Sequence, residues 1–433
     1  MKWLERLKQV DFPQLVHLQL ELRPTLRAIP YWFAAVLVGG LAVVYSSSFS
    51  AVIEASQWVQ QHYPMALLGM GPVAFVLASW LVSRFAPLAG GTGIPQVTSI
   101  IPLDAVNGAA QIEKTLNLKV AVVVILSSLI CVLGGGSVGR EGPMVHIAAC
   151  VFYFVARQFS VIWPYQEHRS WIVAGGAAGV AAAFNTPLAG IVFVLEELAQ
   201  QHFHQFKTVV ISAVIVAGMM AQWLSGKYLF LGYPKIETVG FAAVPYAVIV
   251  GGVCGTLAGI FERLREWSSE ASKMAREKFR LGFAALMGLI VSGIAVFVDH
   301  RTIGGGIGAI QEFLFRDGKA SWGFLFGKFF ALLFSYLSGC AGGFLAPALT
   351  LGASVGSKLA GWLSPKDHNL LVMVGMAGFL SAMTRAPFTA LVIVMEMTDR
   401  HSTIFLLMIS SLVAFGTSRL VMLKRPTKEL PVG

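Results

Sequence analysis

Three segments rich in glycine and proline interrupt apolar stretches of this 433-residue chain, and their chemistry suits a small anion. They read GGTGIP at 90–95, GGGSVGREGP at 134–143 and GCAGGFLAP at 339–347. Each ends in a proline that suits the first turn of a helix, and the glycines let the backbone bend close to a ligand. Because a helix N-terminus presents free N–H groups and a partial positive charge, three that converge would hold an anion without a full counter-charge. The alternative is that these breaks are only kinks and close helix crossings.

One acidic residue, Glu141, lies inside the second break, beside the backbone donors that would bind the anion. A carboxylate in this position competes with the anion for the same N–H groups, and protonation removes the competition. A proton and an anion could then exchange places, so that a single side chain acts as a gate. The alternative is a purely structural pairing of Glu141 with Arg140.

Two adjacent acidic residues, Glu196 and Glu197, end a long apolar run at 171–195 and are followed by basic residues and histidines. At least one of the two should therefore lie near the inner face of a membrane. A carboxyl group in such a low-dielectric position suits reversible proton loading. The alternative is a boundary glutamate that only faces the cytoplasm. Glu396, which recurs at the equivalent place about 200 residues later, is expected to be structural.

The composition indicates that these residues lie in a membrane protein. Only 12% of the residues are charged and 56% are hydrophobic, with a mean hydropathy of +0.71, whereas soluble chains carry about 25% charged residues. The apolar content is enough for about ten spans of roughly 20 residues each. These figures exclude a soluble enzyme, a secreted disulfide scaffold and a disordered chain. Irregular backbone at membrane depth is tolerated only where it is buried in protein or lines a cavity, which again directs attention to the three breaks.

Enzymatic and nucleic-acid functions find no support in the motifs. The stretches at 135–139 and 352–356 fit the G-x-S-x-G pattern of hydrolases, but they lack the strand-to-helix elbow that this pattern requires. No Walker A, zinc-ligand or dinucleotide motif occurs, and the net charge of +10 is not gathered into a nucleic-acid patch. We therefore expect a protein that is not an enzyme, binds no nucleic acid and needs no cofactor or metal.

The chain repeats itself at a period of roughly 200–215 residues, as estimated from its motif spacing. Pro187 precedes Glu196 by nine residues, just as Pro387 precedes Glu396. We predict a cytoplasmic segment at 1–30, a first membrane repeat at 31–230, a second repeat at 240–423 and a short cytoplasmic tail at 424–433. Basic residues precede the first apolar run, whereas in the second repeat they follow the corresponding run, at 263–280. The two repeats should therefore be inverted relative to each other. We expect a multi-pass cell-membrane protein with both termini in the cytoplasm.

Taken in order, the motifs resemble those of the CLC family of chloride channels and chloride/proton antiporters. The matching segments are GxGIP, GREGP and GxxxP, together with AFNTPLAG…EE and RAP…MEMTD, and they extend from about residue 31 to 420. The resemblance implies an all-α polytopic bundle of tilted and partly spanning helices in two antiparallel halves. It also implies a homodimer in the lipid bilayer that transports chloride and protons. Because about a dozen residues follow the last predicted span, we expect a prokaryotic-type member without CBS domains.

The resemblance also assigns roles to individual residues. Glu141 would be the external gate, and Glu197 the internal proton-transfer residue that antiporters have and channels usually lack. The residues implied to bind the anion are Thr92, Gly93, Ile94, Pro95, Gly139, Arg140, Gly142, Phe344 and Leu345.

The chain departs from the family pattern in three places. Thr92 replaces the common serine and keeps its hydroxyl, and Leu345 stands where the family usually has phenylalanine. Near the C-terminus Pro426 is followed by Thr427 and Lys428, so the tyrosine expected two residues after a proline is missing. A chloride/proton antiporter is favoured by the two glutamates. A passive chloride channel, or a carrier for another anion such as fluoride or nitrate, remains the alternative.

Overall fold

The computed structural model describes residues 28–103, 108–159, 168–198, 203–226, 229–236, 240–316 and 318–423. Within these ranges the chain is almost entirely helical, and the only β-type pairings are two isolated bridges. The predicted cytoplasmic tail at 424–433 and almost all of the predicted N-terminal segment at 1–30 lie outside the described residues.

The described chain forms eighteen α-helices joined by short turns. They are α1 (Ile29–His62), α2 (Pro64–Phe85), α3 (Ile94–Thr98), α4 (Ala109–Thr115), α5 (Leu118–Leu133), α6 (Glu141–Phe159), α7 (His168–Phe184), α8 (Pro187–Phe193), α9 (Phe203–Ser225), α10 (Val244–Ala271), α11 (Lys273–Lys278), α12 (Arg280–Phe297), α13 (Ile307–Phe315), α14 (Trp322–Leu337), α15 (Leu345–Leu363), α16 (His368–Thr384), α17 (Pro387–Thr398) and α18 (Ile404–Leu423).

Helices of very different length share the membrane. Among the described residues, seven helical stretches are long and apolar enough to cross it, whereas the composition of the whole chain suggested about ten spans. Helices such as α8, with seven residues, are far too short, because a full crossing takes about 20 residues. The prediction of an all-α polytopic fold with partly spanning helices is confirmed.

Four helices of intermediate length form the centre of the bundle and are surrounded by protein. In α16, for example, every residue from Leu370 to Met383 is buried, and α6, α7 and α15 are nearly as enclosed. Glycines allow these helices to cross closely: a methyl group added to Gly175 of α7 would lie 2.8 Å from the Cα of Ala149 in α6. Helices that are apolar on all sides are typical of such a buried core.

The short helix α8 is held at its first turn by a glutamate from a distant part of the chain. Glu396 of α17 accepts hydrogen bonds from the backbone N–H groups of Leu188, at 3.0 Å, and Ala189, at 2.7 Å. Helix N-termini leave such N–H groups without partners inside the helix, and a carboxylate there also interacts favourably with the helix dipole. This contact agrees with the expected structural role of Glu396.

Helix α17 is held in the same way by the equivalent glutamate. Glu196 accepts hydrogen bonds from the N–H groups of Phe388, at 3.1 Å, and Thr389, at 2.7 Å, and from the Thr389 hydroxyl at 2.8 Å. Residues 187–198 and 387–398 therefore exchange equivalent caps. In each segment a proline begins the helix. The glutamate nine residues later caps the first turn of the helix in the other segment.

We expect Glu396→Gln to destabilise the protein by roughly 1.5–3 kcal/mol, the usual contribution of hydrogen bonds to a charged group. The amide removes the charge and one of the two oxygens that accept from α8. Denaturation in detergent–lipid mixtures, followed by tryptophan fluorescence, would measure the change. Glu277→Gln, in an exposed part of α11, is the matched control; an equal loss in both variants would contradict a specific capping contribution.

Candidate anion site

The three glycine-rich breaks meet through backbone hydrogen bonds. Gly139 and Gly343 exchange two of them, each with an N···O distance of 2.7 Å. Gly91 donates to the carbonyl of Cys340 at 3.1 Å and accepts from the N–H of Gly342 at 3.0 Å. The third break therefore pairs with both others and satisfies backbone groups that no helix satisfies.

Glycine is required where the first and second breaks touch. A methyl group at Gly93 would overlap the carbonyl oxygen of Gly142, and one at Gly142 would overlap that of Thr92. Gly93 also has φ of +90°, a conformation that residues with a side chain rarely adopt. Gly343 approaches the same point, since its methyl group would lie 2.8 Å from the N of Gly142. Gly93 and Gly142 thus let the breaks pack backbone against backbone.

Glu141 begins α6 at this meeting point and is only 2% exposed. Its Oε2 lies against the Cα of Gly139 and has no hydrogen-bond partner among the described residues. The backbone N–H groups of Arg140, Glu141 and Ala346 stabilise the negative charge of the carboxylate. Since Ala346 lies in the first turn of α15, the carboxylate occupies the space between two helix N-termini. This is where an anion would bind.

Arg140 lies beside Glu141 but makes its hydrogen bonds to α1. Its Nη1 donates to the carbonyl of Ser46 at 3.0 Å and to the hydroxyl of Ser50 at 3.3 Å, both on α1. Its guanidinium carbon lies 5.6 Å from the ring centroid of Phe230. The Nε is 3.9 Å from Glu141 Oε1, longer than a hydrogen bond. Arg140 therefore has partners on α1 in addition to its ion pair with Glu141.

Glu141 lines a wide cavity of about 1010 Å³, which we call the Glu141 cavity. Gly139, Arg140 and Arg301 also line it. Beside it, partial burial favours the neutral form of Asp299, but the hydrogen bonds from Arg301 outweigh this and hold the pKa of Asp299 below its usual range. The lowered pKa favours the ionised form of Asp299.

A second cavity, the Glu197 cavity, has a volume of about 180 Å³ and gathers residues from the first and third breaks. The predicted site residues that line it are Thr92, Ile94, Pro95, Phe344 and Glu197. Thr92 is 6% exposed, and its hydroxyl has no hydrogen-bond partner in the described part of the chain. A buried hydroxyl facing a cavity without a partner is suited to donate to a bound ion.

Glu197 reaches this cavity from a π-helical segment, Val194–Leu198, that continues α8. Such segments are rare and are frequently found at functional sites. The side chain is half-buried, and the positive charge of Arg385 is near enough to interact with it.

The remaining predicted residues contribute packing rather than a cavity wall. Gly93 and Gly142 form the contact between breaks. Leu345 is 3% exposed at the first position of α15 and lines neither cavity among the described residues. In the third break it is thus Phe344, the N-cap residue of α15, that lines the Glu197 cavity.

Three residues that sequence reasoning missed also line the Glu197 cavity: Glu262, Arg265 and Tyr336. Arg265 was seen only as one of the basic residues that report membrane orientation. Tyr336 lies in an apolar helix without any motif, so nothing local in the sequence marks it.

Comparison with known proteins identifies the architecture. The family model described as voltage gated chloride channel matches residues 73–419. The chain belongs to the voltage-gated chloride channel family. The resemblance of its motifs to CLC proteins is thereby confirmed.

Relatives of this voltage-gated chloride channel family member include transporters from two bacteria. It is 29% identical over 420 residues to the H(+)/Cl(-) exchange transporter ClcA of Vibrio campbellii, covering 90% of this chain and 86% of that protein. It is 28% identical over 411 residues to the ClcA of Klebsiella pneumoniae, covering 88% and 84%.

Solved structures share the fold at lower sequence identity. A slow cyanobacterial Cl-/H+ antiporter superposes with a TM-score of 0.79 and 22% identity, covering 92% of this chain and 95% of that one. A CLC-type fluoride/proton antiporter superposes with a TM-score of 0.77 and 21% identity, covering 92% and 96%.

We expect Gly142→Ala to separate the first and second breaks, because the added methyl group has no room beside the Thr92 carbonyl. Overpacking of this kind typically costs about 1–3 kcal/mol. Fluorescence-detected size-exclusion chromatography after heating would report the lost stability. Gly293→Ala is the control, since a methyl group there meets nothing within 4 Å. Equal behaviour of the two variants would mean that the breaks do not depend on this contact.

Proposed function

We propose that this protein exchanges chloride for protons across a membrane. The main support for this proposal is the position of Glu141, whose carboxylate lies between the N-termini of α6 and α15. A carboxylate held by backbone N–H groups resembles a bound anion in charge and in the donors that it uses. The names of the ClcA relatives support the choice of chloride and protons as the transported species.

Glu141 is the gate in this proposal. While ionised, it fills the anion position and blocks exchange between the Glu141 cavity and the meeting point of the breaks. Protonation removes the attraction between its oxygens and the backbone N–H groups, and an anion then takes its place. Each swap couples one proton to the movement of anions, so the gate and the coupling device are the same side chain.

Glu197 is the second proton-transfer residue and works from the other cavity. Thr92 and Phe344 line the same space, with the Thr92 hydroxyl available to donate to an ion in transit. Neutral donors hold an anion weakly enough to release it, as transport requires. The remaining predicted anion contacts, from Ile94, Pro95, Gly139 and the nearby backbone, complete the path.

The membrane arrangement follows from the same proposal. The Glu141 cavity opens to the outside, the Glu197 cavity faces the cytoplasm, and both termini are cytoplasmic. Repeats at 31–230 and 240–423 are inverted relative to each other, which the equivalent caps by Glu196 and Glu396 support. The protein functions as a homodimer, each subunit with its own path. Single-molecule photobleaching in liposomes would count the subunits.

Transport should be tested on the purified protein in liposomes with an imposed chloride gradient and recorded external pH. Protons driven uphill by chloride, with the effect abolished by an uncoupler, are expected. Chloride efflux without proton movement would instead identify a passive channel. Fluoride or nitrate movement without chloride movement would identify a different anion, an outcome that the fluoride/proton antiporter of similar fold makes worth measuring.

We expect Glu141→Gln to abolish proton coupling while chloride flux continues, because the amide cannot be deprotonated and imitates the open gate. The measurement is the proton-to-chloride ratio in the same liposomes. Glu113→Gln is the control, since Glu113 forms an Arg–Glu pair with Arg157 at the exposed surface. Coupling that survives Glu141→Gln would remove Glu141 from the gate.

We expect Glu197→Gln to remove proton flux while anion flux continues, because the internal proton donor is lost but the anion path is intact. Glu196→Gln is the contrasting variant. It should lower stability by weakening the α17 cap, yet keep the proton-to-chloride ratio of the folded protein. If Glu197→Gln leaves that ratio unchanged, the internal proton route runs elsewhere.

A further inference from the structure

A hydrogen-bonded group of three side chains lies at the wall of the Glu197 cavity. Arg265 of α10 donates from Nη1 to the hydroxyl of Tyr336 on α14, with an N···O distance of 3.1 Å. Through Nη2, at 2.6 Å, and Nε, at 2.8 Å, the same guanidinium contacts Oε2 of Glu262. Its central carbon lies 5.2 Å from the Tyr336 ring centroid. All three residues line the cavity that also contains Thr92 and Glu197.

The surrounding helices hold this group in a fixed register. Phe261, one turn before Arg265, packs edge-to-face on Phe329, two turns before Tyr336, with ring centroids 5.1 Å apart. Both phenylalanines are buried. Residues four and seven apart lie on the same face of a helix, so this contact sets α10 against α14 where Arg265 meets Tyr336.

Arg265 also borders a third cavity of about 750 Å³, which we call the Arg276 cavity. Besides Arg265, its wall contains three basic and three acidic residues, and it reaches Ser338 and Gly339 beside the third break. The basic residues are Lys273, Arg276 and Arg280, and the acidic ones are Glu266, Glu270 and Glu277. A cavity with so many charged side chains is suited to water and ions. Arg265 thus lies between a wide charged cavity and the narrow cavity of the predicted anion path.

We propose that Tyr336 is an anion-coordinating residue at this end of the path and that Arg265 and Glu262 position it. The proposal rests on the proposed anion transport and names a further ligand for the same ion, a small monovalent anion such as chloride. Tyr336 is the group that touches the anion. Arg265 and Glu262 act through it.

The hydrogen-bond directions support this assignment. A tyrosine hydroxyl both donates and accepts, whereas a guanidinium only donates. Because the Tyr336 oxygen accepts a hydrogen bond from Arg265, the hydrogen of the Tyr336 hydroxyl is available to donate a second one. The hydrogen bonds recorded for the described residues give it no acceptor. An anion in the Glu197 cavity supplies one.

The charges of Arg265 and Glu262 favour an anion that binds and is released again over one that stays bound. Arg265 is 27% exposed and Glu262 16% exposed, so the pair is partly shielded from water and nearly neutral as a unit. A full unpaired positive charge in this position would hold an anion too tightly to release it. A neutral hydroxyl oriented by Arg265 and Glu262 donates a hydrogen bond to the anion without adding a net positive charge.

This assignment also bears on the missing C-terminal tyrosine. The family resemblance implied a hydroxyl from near residue 428, where the chain has Lys428. Tyr336 supplies a phenolic hydroxyl to the same cavity as Thr92, from a different helix.

The test is chloride binding to the purified wild-type protein and to Tyr336→Phe, measured by isothermal titration calorimetry. Removing only the hydroxyl should raise the chloride Kd at least about tenfold, the usual effect of losing a hydrogen bond to an ion. Tyr31→Phe is the matched control: its buried hydroxyl lies 2.5 Å from that of Ser170, and the residue lines none of the three cavities. An unchanged Kd in a folded, monodisperse Tyr336→Phe protein overturns the proposal.

A double-mutant cycle tests the positioning role of Arg265. Arg265→Lys keeps a positive charge but cannot bridge Glu262 and Tyr336 with a planar fork. It should weaken chloride binding and alter the chloride-to-nitrate preference when Tyr336 is present, but have little further effect in the Tyr336→Phe background. Additive effects would show that Arg265 acts independently of Tyr336 and would overturn its positioning role.

The same data separate this proposal from the proposed function. If the wild-type protein neither binds nor transports chloride, fluoride or nitrate, the anion-transport proposal itself fails. If the wild-type protein transports one of them and Tyr336→Phe matches it in affinity and selectivity, transport stands and only the role of Tyr336 is rejected.

Discussion

The contact of three broken backbone segments is the constraint on which the rest of this structure depends. Inside a membrane an unpaired N–H or C=O group costs several kcal/mol, so a helix can be interrupted only if other protein groups satisfy the break. Here the breaks satisfy one another, through the paired hydrogen bonds of Gly139 with Gly343 and of Gly91 with residues 340 and 342. The N-termini of α6 and α15 are left facing a common point, and Glu141 fills it.

The same contact separates the two cavities and assigns one acid to each. Glu141 borders the wide cavity and Glu197 the narrow one, and Gly93 packs against the carbonyl of Gly142 where the first two breaks meet. The groups gathered beside Glu141 and Glu197 are backbone N–H donors and hydroxyls, so these two carboxylates carry most of the ionisable charge at the proposed anion path. In the proposed function, this arrangement links anion binding to protonation of an acid without a fixed strong counter-charge.

The sequence predicted the features that depend on local motifs and missed those that depend on distant contacts. Glycine and proline spacing located all three breaks and Glu141, because backbone bending is a local property. The same spacing showed that Glu196 and Glu396 are equivalent, but not that each caps the other's helix, since their partners are about 200 residues away. Tyr336 was missed because an apolar helix gives no sign of which face borders a cavity.

The adjacent glutamates Glu196 and Glu197 show how one local irregularity can serve both stability and chemistry. In a regular α-helix neighbouring side chains are separated by about 100° around the axis, whereas the wider π-helical turn changes this angle and the direction of each side chain. Within Val194–Leu198, Glu196 is directed to the first turn of α17 and Glu197 to the narrow cavity. Three hydrogen bonds of 2.7–3.1 Å fix Glu196. Glu197, the next residue in the chain, is therefore held in place by a neighbour that is itself fixed to α17.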